Sequence, residues 1–228
     1  MNAPAAALVP IFATPFAAVQ LAGSSVFNGA LATLCAGRTT EEHRDASAPP
    51  DPLCFRSREN LLDWEHEAVT EFRQEMLAGL CAAVMAANLY SEAEFDALGV
   101  QVRARFVLVR PDGCVPAANV PMASWCAVYC VAAPPPAPAR GDSGALRLYA
   151  LRQGTMFMDA ANWRLRPPFG GAHHMWRPVP GQMAVFPAWV LHEIALNRSD
   201  ADLLLITARA RFAHPDLVHG GQQSMPPW

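Results

Sequence analysis

The sequence predicts an α+β protein in which N-terminal helices pack on an antiparallel β-sandwich. The chain has 228 residues, 52% hydrophobic and only 16% charged, so it can bury a sizeable core. Residues 59–98 repeat apolar side chains at steps of three and four, whereas residues 101–213 contain short apolar runs punctuated by proline and glycine. Short strands without long helices between them favour a sandwich or barrel over a parallel sheet. We expect one domain, with a strand and helical layer in 1–100 and an irregular tail at 214–228.

Two regions of the N-terminal half carry helical signals. Ser24 and Ser25 are predicted to cap a first helix that ends at Gly37, because small hydroxyl residues favour helix starts and glycine favours helix ends. The apolar stripe of this helix comprises Val26, Leu31 and Leu34. A second helix is predicted within 59–98, with a shorter helical segment at 92–98. The apolar face of the second helix comprises Leu61, Leu62, Val69, Phe72, Met76, Leu80 and Val84.

The C-terminal half carries strand signals. The predicted strands are 102–109, 124–132, 145–150, 174–178, 182–187, 190–196 and 202–212. An extended segment at 9–16 is expected to join a sheet. We interpret residues 38–58 and 133–144 as loops, because both are polar or rich in proline, which cannot donate to a sheet ladder.

Composition and charge exclude several classes of function. The formal net charge is −3 with no basic block, so we expect no nucleic-acid partner. The apolar first 22 residues lack a positively charged start and contain Pro4, Pro10 and Pro15, which argues against a secretion signal. No other apolar run is free of charge for the roughly 18 residues of a membrane span, so we expect no membrane partner. Cys126 and Cys130 share a face of one predicted strand, which favours a core role in a reducing compartment such as the cytoplasm.

A series of motifs resembles the 2-oxoglutarate/Fe(II)-dependent oxygenase family. The most specific motif is the segment 178–194, PVPGQMAVFPAWVLHEI, in which a Pro-Gly turn leads to Phe-Pro-x-Trp and then to a strand that carries His192. Weaker matches, in the family's order, are PIFATP at 10–15, RPDG at 110–113, SWCAVYCV at 124–131, and the set Gly144, Leu146, Leu148 and Arg152. The resemblance covers nearly the whole chain. It implies a double-stranded β-helix (jelly roll) with the N-terminal helices packed on one sheet.

The resemblance also implies Fe(II) and 2-oxoglutarate as cofactors of a hydroxylase or other dioxygenase. The family holds iron with a His-x-Asp or His-x-His pair on one strand and a distal histidine on another, which leaves positions open for 2-oxoglutarate and O₂. His192 matches the distal histidine. The pair is expected at 117–121, where the sequence reads AANVP and Asn119 has the only side chain with a donor atom. His192 and Asn119 are therefore the candidate metal ligands.

The arginine that fixes 2-oxoglutarate in this family is replaced. In this family an arginine on the last strand normally binds the far carboxylate of 2-oxoglutarate, because a guanidinium matches a carboxylate in geometry. The residue of this sequence at the corresponding position is Leu203. Arg198, Arg209 and Arg211 are the available substitutes, of which Arg198 and Arg209 are the candidates for cofactor binding. Arg209 shares a face with Leu203 but lies six residues further along, roughly 20 Å away at about 3.3 Å per residue. These departures indicate an iron site that has eroded or been rebuilt.

Substrate contacts are expected from Trp163 and Arg166, since they precede the late strands, where this fold often places them. The substrate is expected to be a small molecule or a protein side chain. The sequence leaves three functions open: an oxygenase, a non-catalytic binding or assembly protein on the same fold, and a cupin-like metalloenzyme with a rebuilt site. The candidate ligands of that rebuilt site are His173 or His174, His192, and Asp112 or Asp142.

Overall fold

Two antiparallel β-sheets face each other in the computed structural model, which describes residues 10, 13–135, 141–150, 165 and 173–214. The strands of these residues are β1 (Ala17–Gln20), β2 (Cys54–Arg56), β3 (Gly99–Val109), β4 (Val115–Ala118), β5 (Trp125–Ala132), β6 (Leu146–Tyr149), β7 (His173–Trp176), β8 (Gln182–Pro187), β9 (His192–Ile194) and β10 (Leu203–Ala213). The larger sheet has the order β1-β8-β5-β10-β3-β2, and the smaller sheet has the order β4-β9-β6-β7. Strand pairing within both sheets is antiparallel, which confirms the predicted jelly roll.

Helices cover the outer face of the larger sheet, as predicted. They are α1 (Ser24–Gly37), α2 (Glu67–Ala86) and α3 (Glu92–Asp96). The ring centroid of Phe72 on α2 lies 5.0 Å from that of Tyr129 on β5 and 5.8 Å from that of Phe27 on α1. The Tyr129 hydroxyl donates a 2.6 Å hydrogen bond to Asn28 Oδ1, so this buried side chain keeps a polar partner. Each large apolar side chain buried here contributes about 1.5–3 kcal/mol, which holds the helices on the sheet.

Apolar side chains fill the space between the two sheets. Because successive side chains of a strand alternate between faces, Leu203 and Leu205 of β10 point into this interior, whereas Leu204 and Ile206 face the helices. The interior also contains Cys54, Val107, Val109, Cys126, Val128, Cys130, Leu146, Leu148, Trp176, Ala184, Phe186, Ala188, Val190 and Ile194. The predicted core role of Cys126 and Cys130 is thereby confirmed.

The first helix ends at Gly37 as predicted, but its cap and its buried face differ from the prediction. Gly23 is the residue before the helix and makes no side-chain cap, so the prediction that Ser24 and Ser25 cap it is wrong. Val26 is 71% exposed, whereas the buried positions are Phe27, Leu31 and Cys35. These three residues are spaced four apart and therefore share one face of the helix, which packs on the sheet, whereas Val26 lies on another face.

Other element boundaries also differ from the prediction. The second helix begins only at Glu67, because the buried Leu61 and Leu62 lie in a 3-10 turn before it. The predicted extended segment 9–16 is not a strand in its described residues, and β1 begins at Ala17. Sequence patterns missed β2, which lies in the predicted loop 38–58, and β4, which contains a proline. No helix among the described residues combines the length and apolarity that crossing a membrane requires.

The turn between β3 and β4 requires a glycine at position 113. A β-carbon at Gly113 would overlap the Leu53 carbonyl oxygen and lie 3.0 Å from the Arg110 carbonyl oxygen. Because both neighbours are backbone atoms, the strands would have to move to admit a side chain.

We expect Gly113→Ala to lower the free energy of unfolding by about 2 kcal/mol or more, as overpacked sites do. Gly29→Ala is the matched control, since an added β-carbon on the exposed face of α1 meets no atom within 4 Å. The control should raise the same free energy by up to about 1 kcal/mol through helix propensity. Urea unfolding of the three proteins measures both effects, and similar values for the two variants would contradict the steric argument.

Candidate functional site

His192 lies on the short strand β9 with its imidazole half-buried in the roll. The strand register places it opposite Ala118 of β4 on one side and Leu148 of β6 on the other. Its ring packs edge-on against Phe186, with 4.8 Å between the ring centroids. Ile194, two residues further on the same face, belongs to the interior between the sheets, so β9 directs His192 inward.

The hydrogen bond at Nδ1 defines which nitrogen of His192 carries the proton. Nδ1 lies 2.9 Å from the Val190 carbonyl oxygen, and a carbonyl can only accept, so Nδ1 is the donor. Burial lowers the pKa of His192, and the hydrogen bond to Val190 opposes this effect only in part. The imidazole is therefore neutral near pH 7, with the lone pair on Nε2.

A cavity of about 280 Å³ opens beside His192, and we call it the mouth cavity. Its polar lining comprises Arg56, Glu59, Arg105, Asn119, Cys126, His192, Thr207 and Arg209. Its other lining residues are Val107, Val115, Pro116, Ala118, Val120, Pro121, Ala127, Val128, Ile194 and Ala208. The structure thus brings together three of the candidates from the sequence, namely His192, Asn119 and Arg209. This volume lies near the lower end for ligand pockets, which suits a small metabolite.

The segment expected to carry the first ligand pair forms one wall of the mouth cavity. Ala118 is the ladder partner of His192, and the backbone N–H of Val120 donates a 3.0 Å hydrogen bond to the Ala188 carbonyl oxygen. Alanine, valine and proline have no donor atoms in their side chains. Asn119 is exposed at the cavity and supplies only a neutral amide oxygen.

These residues do not fit Fe(II). A facial triad needs three ligands on adjacent corners of the metal, whereas His192 and Asn119 offer one imidazole and one amide. Within the part of the chain that the structure describes, no group of three or more His, Cys, Asp or Glu side chains could hold a metal ion. Glu193, next to His192, points to the opposite face and accepts a 2.9 Å hydrogen bond from Arg147 Nη1.

The residues of the alternative metal site are spread over the smaller sheet. His174 and His192 both lie opposite Leu148, one on each side, so two strand spacings of about 4.8 Å separate their backbones. The His174 ring instead contacts Phe16, with 4.6 Å between ring centroids. Asp142 pairs with Arg147.

Asp112, the other candidate carboxylate, lies in the turn before β4, with a positive φ of 60°. The structure therefore does not bring the cupin-like ligand set together.

The two candidate cofactor arginines lie in different places. Leu203, at the position expected for the 2-oxoglutarate arginine, is 2% exposed in the apolar interior. Arg209, on the same strand, lines the mouth cavity with His192. Arg198 is exposed in the loop between β9 and β10, where its backbone N–H donates a 2.9 Å hydrogen bond to Ser143 Oγ, and it does not line this cavity.

An ion-pair network lies at the side of the mouth cavity formed by the larger sheet. Arg105 of β3 donates to both Asp45 and Glu59, and Arg209 donates to the second oxygen of Glu59. Burial tends to raise the pKa of Asp45, but hydrogen bonds from Ser47 and the charge of Arg105 outweigh it and hold this pKa below its usual value. The carboxylate of Asp45 therefore stays ionised and remains paired with Arg105.

Sequence reasoning missed Arg56, Glu59 and Arg105. A signal existed for Arg105, because it alternates with Val107 and Val109 and must share their inward face. Arg56 and Glu59 gave no such signal, since β2 was not predicted and no local pattern indicates which strand it joins. The substrate candidates Trp163 and Arg166, and Arg152 of the family motif, lie outside the described residues.

Comparisons with solved structures identify the fold. A prolyl-4-hydroxylase from Pseudomonas putida superposes with a TM-score of 0.55 at 18% identity, covering 87% of this chain and 92% of that one. A Trichoplax adhaerens prolyl hydroxylase in complex with a hypoxia inducible factor peptide gives 0.56 at 10% identity, covering 92% and 88%. An α-ketoglutarate-dependent carbocyclase from nogalamycin biosynthesis gives 0.59 at 11% identity, covering 92% and 87%.

No protein-family model matches the sequence, and no curated protein matches it either. The TM-scores establish a common fold. At identities this low the activity of this chain has to be argued from its own residues. Both the strand order and the covered length agree with the resemblance found in the motifs around His192. The chain therefore has the double-stranded β-helix fold of the 2-oxoglutarate/Fe(II)-dependent oxygenases.

Proposed function

We propose that this chain is an oxygenase-fold protein that binds a small molecule in the mouth cavity without the iron chemistry of that fold. The observation that carries the proposal is the ladder pair of Ala118 and His192. The backbone pairs β4 with β9 at His192, but the residue opposite the histidine is Ala118, whose side chain has no atom that can coordinate a metal. The cavity nevertheless keeps a volume of about 280 Å³ and a polar lining.

The expected 2-oxoglutarate site supports the same reading. Leu203 stands where the resemblance implies the anchoring arginine, and it belongs to the same buried apolar cluster as Leu205 and Leu146. A dicarboxylate placed there would lose its hydration without gaining a charged partner, which is costly in an apolar interior. The proposal is thus supported at two independent points: no third metal ligand accompanies His192 and Asn119 among the described residues, and an apolar side chain stands at position 203.

An oxygenase remains the second candidate, and one observation favours it. His192 donates from Nδ1 to a backbone carbonyl and keeps the lone pair on Nε2, which is how metal-binding histidines are usually oriented. Under this reading Asn119 contributes the second ligand, Arg209 binds the cofactor, and the reaction is a hydroxylation.

Turnover separates the two candidates. We expect the purified protein, supplied with Fe(II), 2-oxoglutarate, ascorbate and O₂, to form no more succinate than His192→Ala, because neither protein assembles a three-ligand iron site. Succinate is measured by mass spectrometry, with substrate candidates added as a mixture of small polar metabolites and peptides. Succinate formation that depends on His192 would overturn the proposed function and establish the oxygenase.

The neutral state of His192 predicts an acid dependence of stability. The folded protein holds the pKa of His192 below the ordinary value of 6.5, so above that pH the ring is neutral in both the folded and the unfolded chain. As the pH falls below 6.5, the unfolded chain takes up the proton first, and the free energy of unfolding decreases.

His192→Asn keeps an N–H for the Val190 carbonyl but cannot titrate. We expect the variant to lose less stability than the parent protein as the pH falls below 6.5, and the difference to stop changing above that pH. Urea unfolding along a pH series measures it. Parallel curves for the two proteins would show that His192 is not buried as a neutral ring.

A further inference from the structure

Three arginines occupy neighbouring positions on adjacent strands at the mouth cavity. Arg56 of β2 is the ladder partner of Val107 on β3, and Arg105, two residues before Val107, is the partner of Thr207 on β10. Arg209 follows Thr207 by two residues on the same face. Diagonal neighbours of this kind lie about 7–8 Å apart, so three cationic side chains emerge side by side on one sheet.

Like charges on neighbouring strands destabilise a sheet unless anions lie between them. Asp45 and Glu59 supply two negative charges to these three arginines, and Arg103, the ladder partner of Arg209, adds a further positive charge beside them. The side chains of Arg105 and Arg209 are each 21% exposed, and the Glu59 side chain is 18% exposed. Partial burial strengthens the attraction of this cluster for a further anion relative to a fully solvated one.

Glu59 shows which anion geometry the arginines accept. One carboxylate oxygen of Glu59 accepts from Arg105 and the other accepts from Arg209, so a single planar carboxylate bridges two guanidinium groups. Charge-assisted hydrogen bonds of this kind are stronger than bonds between neutral groups, and one to each oxygen fixes how the carboxylate lies between the two arginines.

The rest of the mouth cavity restricts what is attached to the carboxylate. Part of its wall is apolar and consists of Val107, Val115, Val128 and Ile194. The volume of about 280 Å³ admits only a small molecule. His192 and Asn119 provide polar atoms elsewhere in the lining. The complementary ligand is thus a short aliphatic chain with an acidic group at one end.

We propose that Arg56, Arg105 and Arg209 bind the carboxylate of a small organic acid in the mouth cavity, and that Glu59 is an internal competitor for this carboxylate. The inference rests on the proposed function and names the ligand class of the same cavity. The site differs from the cofactor anchor that the resemblance implies, because the position expected for that anchor is taken by the buried Leu203. A ligand carboxylate would compete with Glu59 for the same donors on Arg105 and Arg209, so the charge of Glu59 sets the affinity.

The experiment compares butyrate with butyramide, which has nearly the same shape but no charge. Amide chemical shifts of the ¹⁵N-labelled full chain are followed at low salt, where charge interactions are least screened. We expect butyrate to shift the amides of Val128 and Thr207, which line the cavity, and to bind at least about tenfold more tightly than butyramide. Inorganic phosphate is titrated in parallel, and we expect it to bind more weakly than butyrate.

Two substitutions, each with a matched control, test the proposed roles of Arg209 and Glu59 in binding butyrate. Arg209→Gln should weaken butyrate binding by about tenfold or more, and Glu59→Gln should strengthen it by removing the competing charge. Arg73→Gln and Glu65→Gln make the same changes of charge at exposed positions in and just before α2, and both should leave the affinity unchanged.

Each contrary result has a defined meaning. Butyramide binding in the cavity as tightly as butyrate would remove the carboxylate site while leaving the proposed function intact. Phosphate binding as tightly as butyrate would overturn the preference for a carboxylate, and equal effects of Arg209→Gln and Arg73→Gln would overturn the role of the cluster. Should Glu59→Gln fail to fold, the comparison of butyrate with butyramide on the unmodified protein still decides the proposal. Succinate formation that depends on His192 would instead overturn the proposed function on which this inference rests.

Discussion

The alternation of side chains along β10 is the constraint on which the rest of the structure depends. This central strand pairs with β3 on one side and β5 on the other, so its two faces must both be satisfied. Leu204 and Ile206 anchor the helical layer, while Leu203 and Leu205 fill the interior of the roll. A shift of register by one residue would exchange these faces and place Arg209 among the helices, so the register of β10 positions both the core and the mouth cavity.

The inward face of the same strand changes from apolar to charged along its length. Leu203 and Leu205 close one part of the interior, and Thr207 and Arg209 line the other part. Arg105 continues the charged region on β3, where Glu59 bridges it to Arg209. The gradient explains why a single fold contains both a dry core and a polar cavity, since buried charges persist only where partners and solvent reach them.

The sequence predicted features that depend on local pattern and missed those that depend on pairing between distant segments. Strands such as β5 and β10 were predictable from apolar runs, and the strand of His192 from its motif. By contrast, β2 has three residues in a polar loop, and only its pairing with β3 makes it a strand. The same limit applies to the site: Glu59 and Arg209 are 150 residues apart, and no periodicity indicates that they meet.

The pairing of Ala118 with His192 has a consequence for how this scaffold can change. Hydrogen bonds of the backbone hold β4 beside β9, and they do not depend on which side chain occupies position 118. The side chain at position 118 can therefore change without disturbing this backbone pairing. A metal-coordinating group can be lost or gained there while the fold persists. A protein of this shape is free to exchange catalysis for recognition, and the reverse exchange requires new side chains rather than a new backbone.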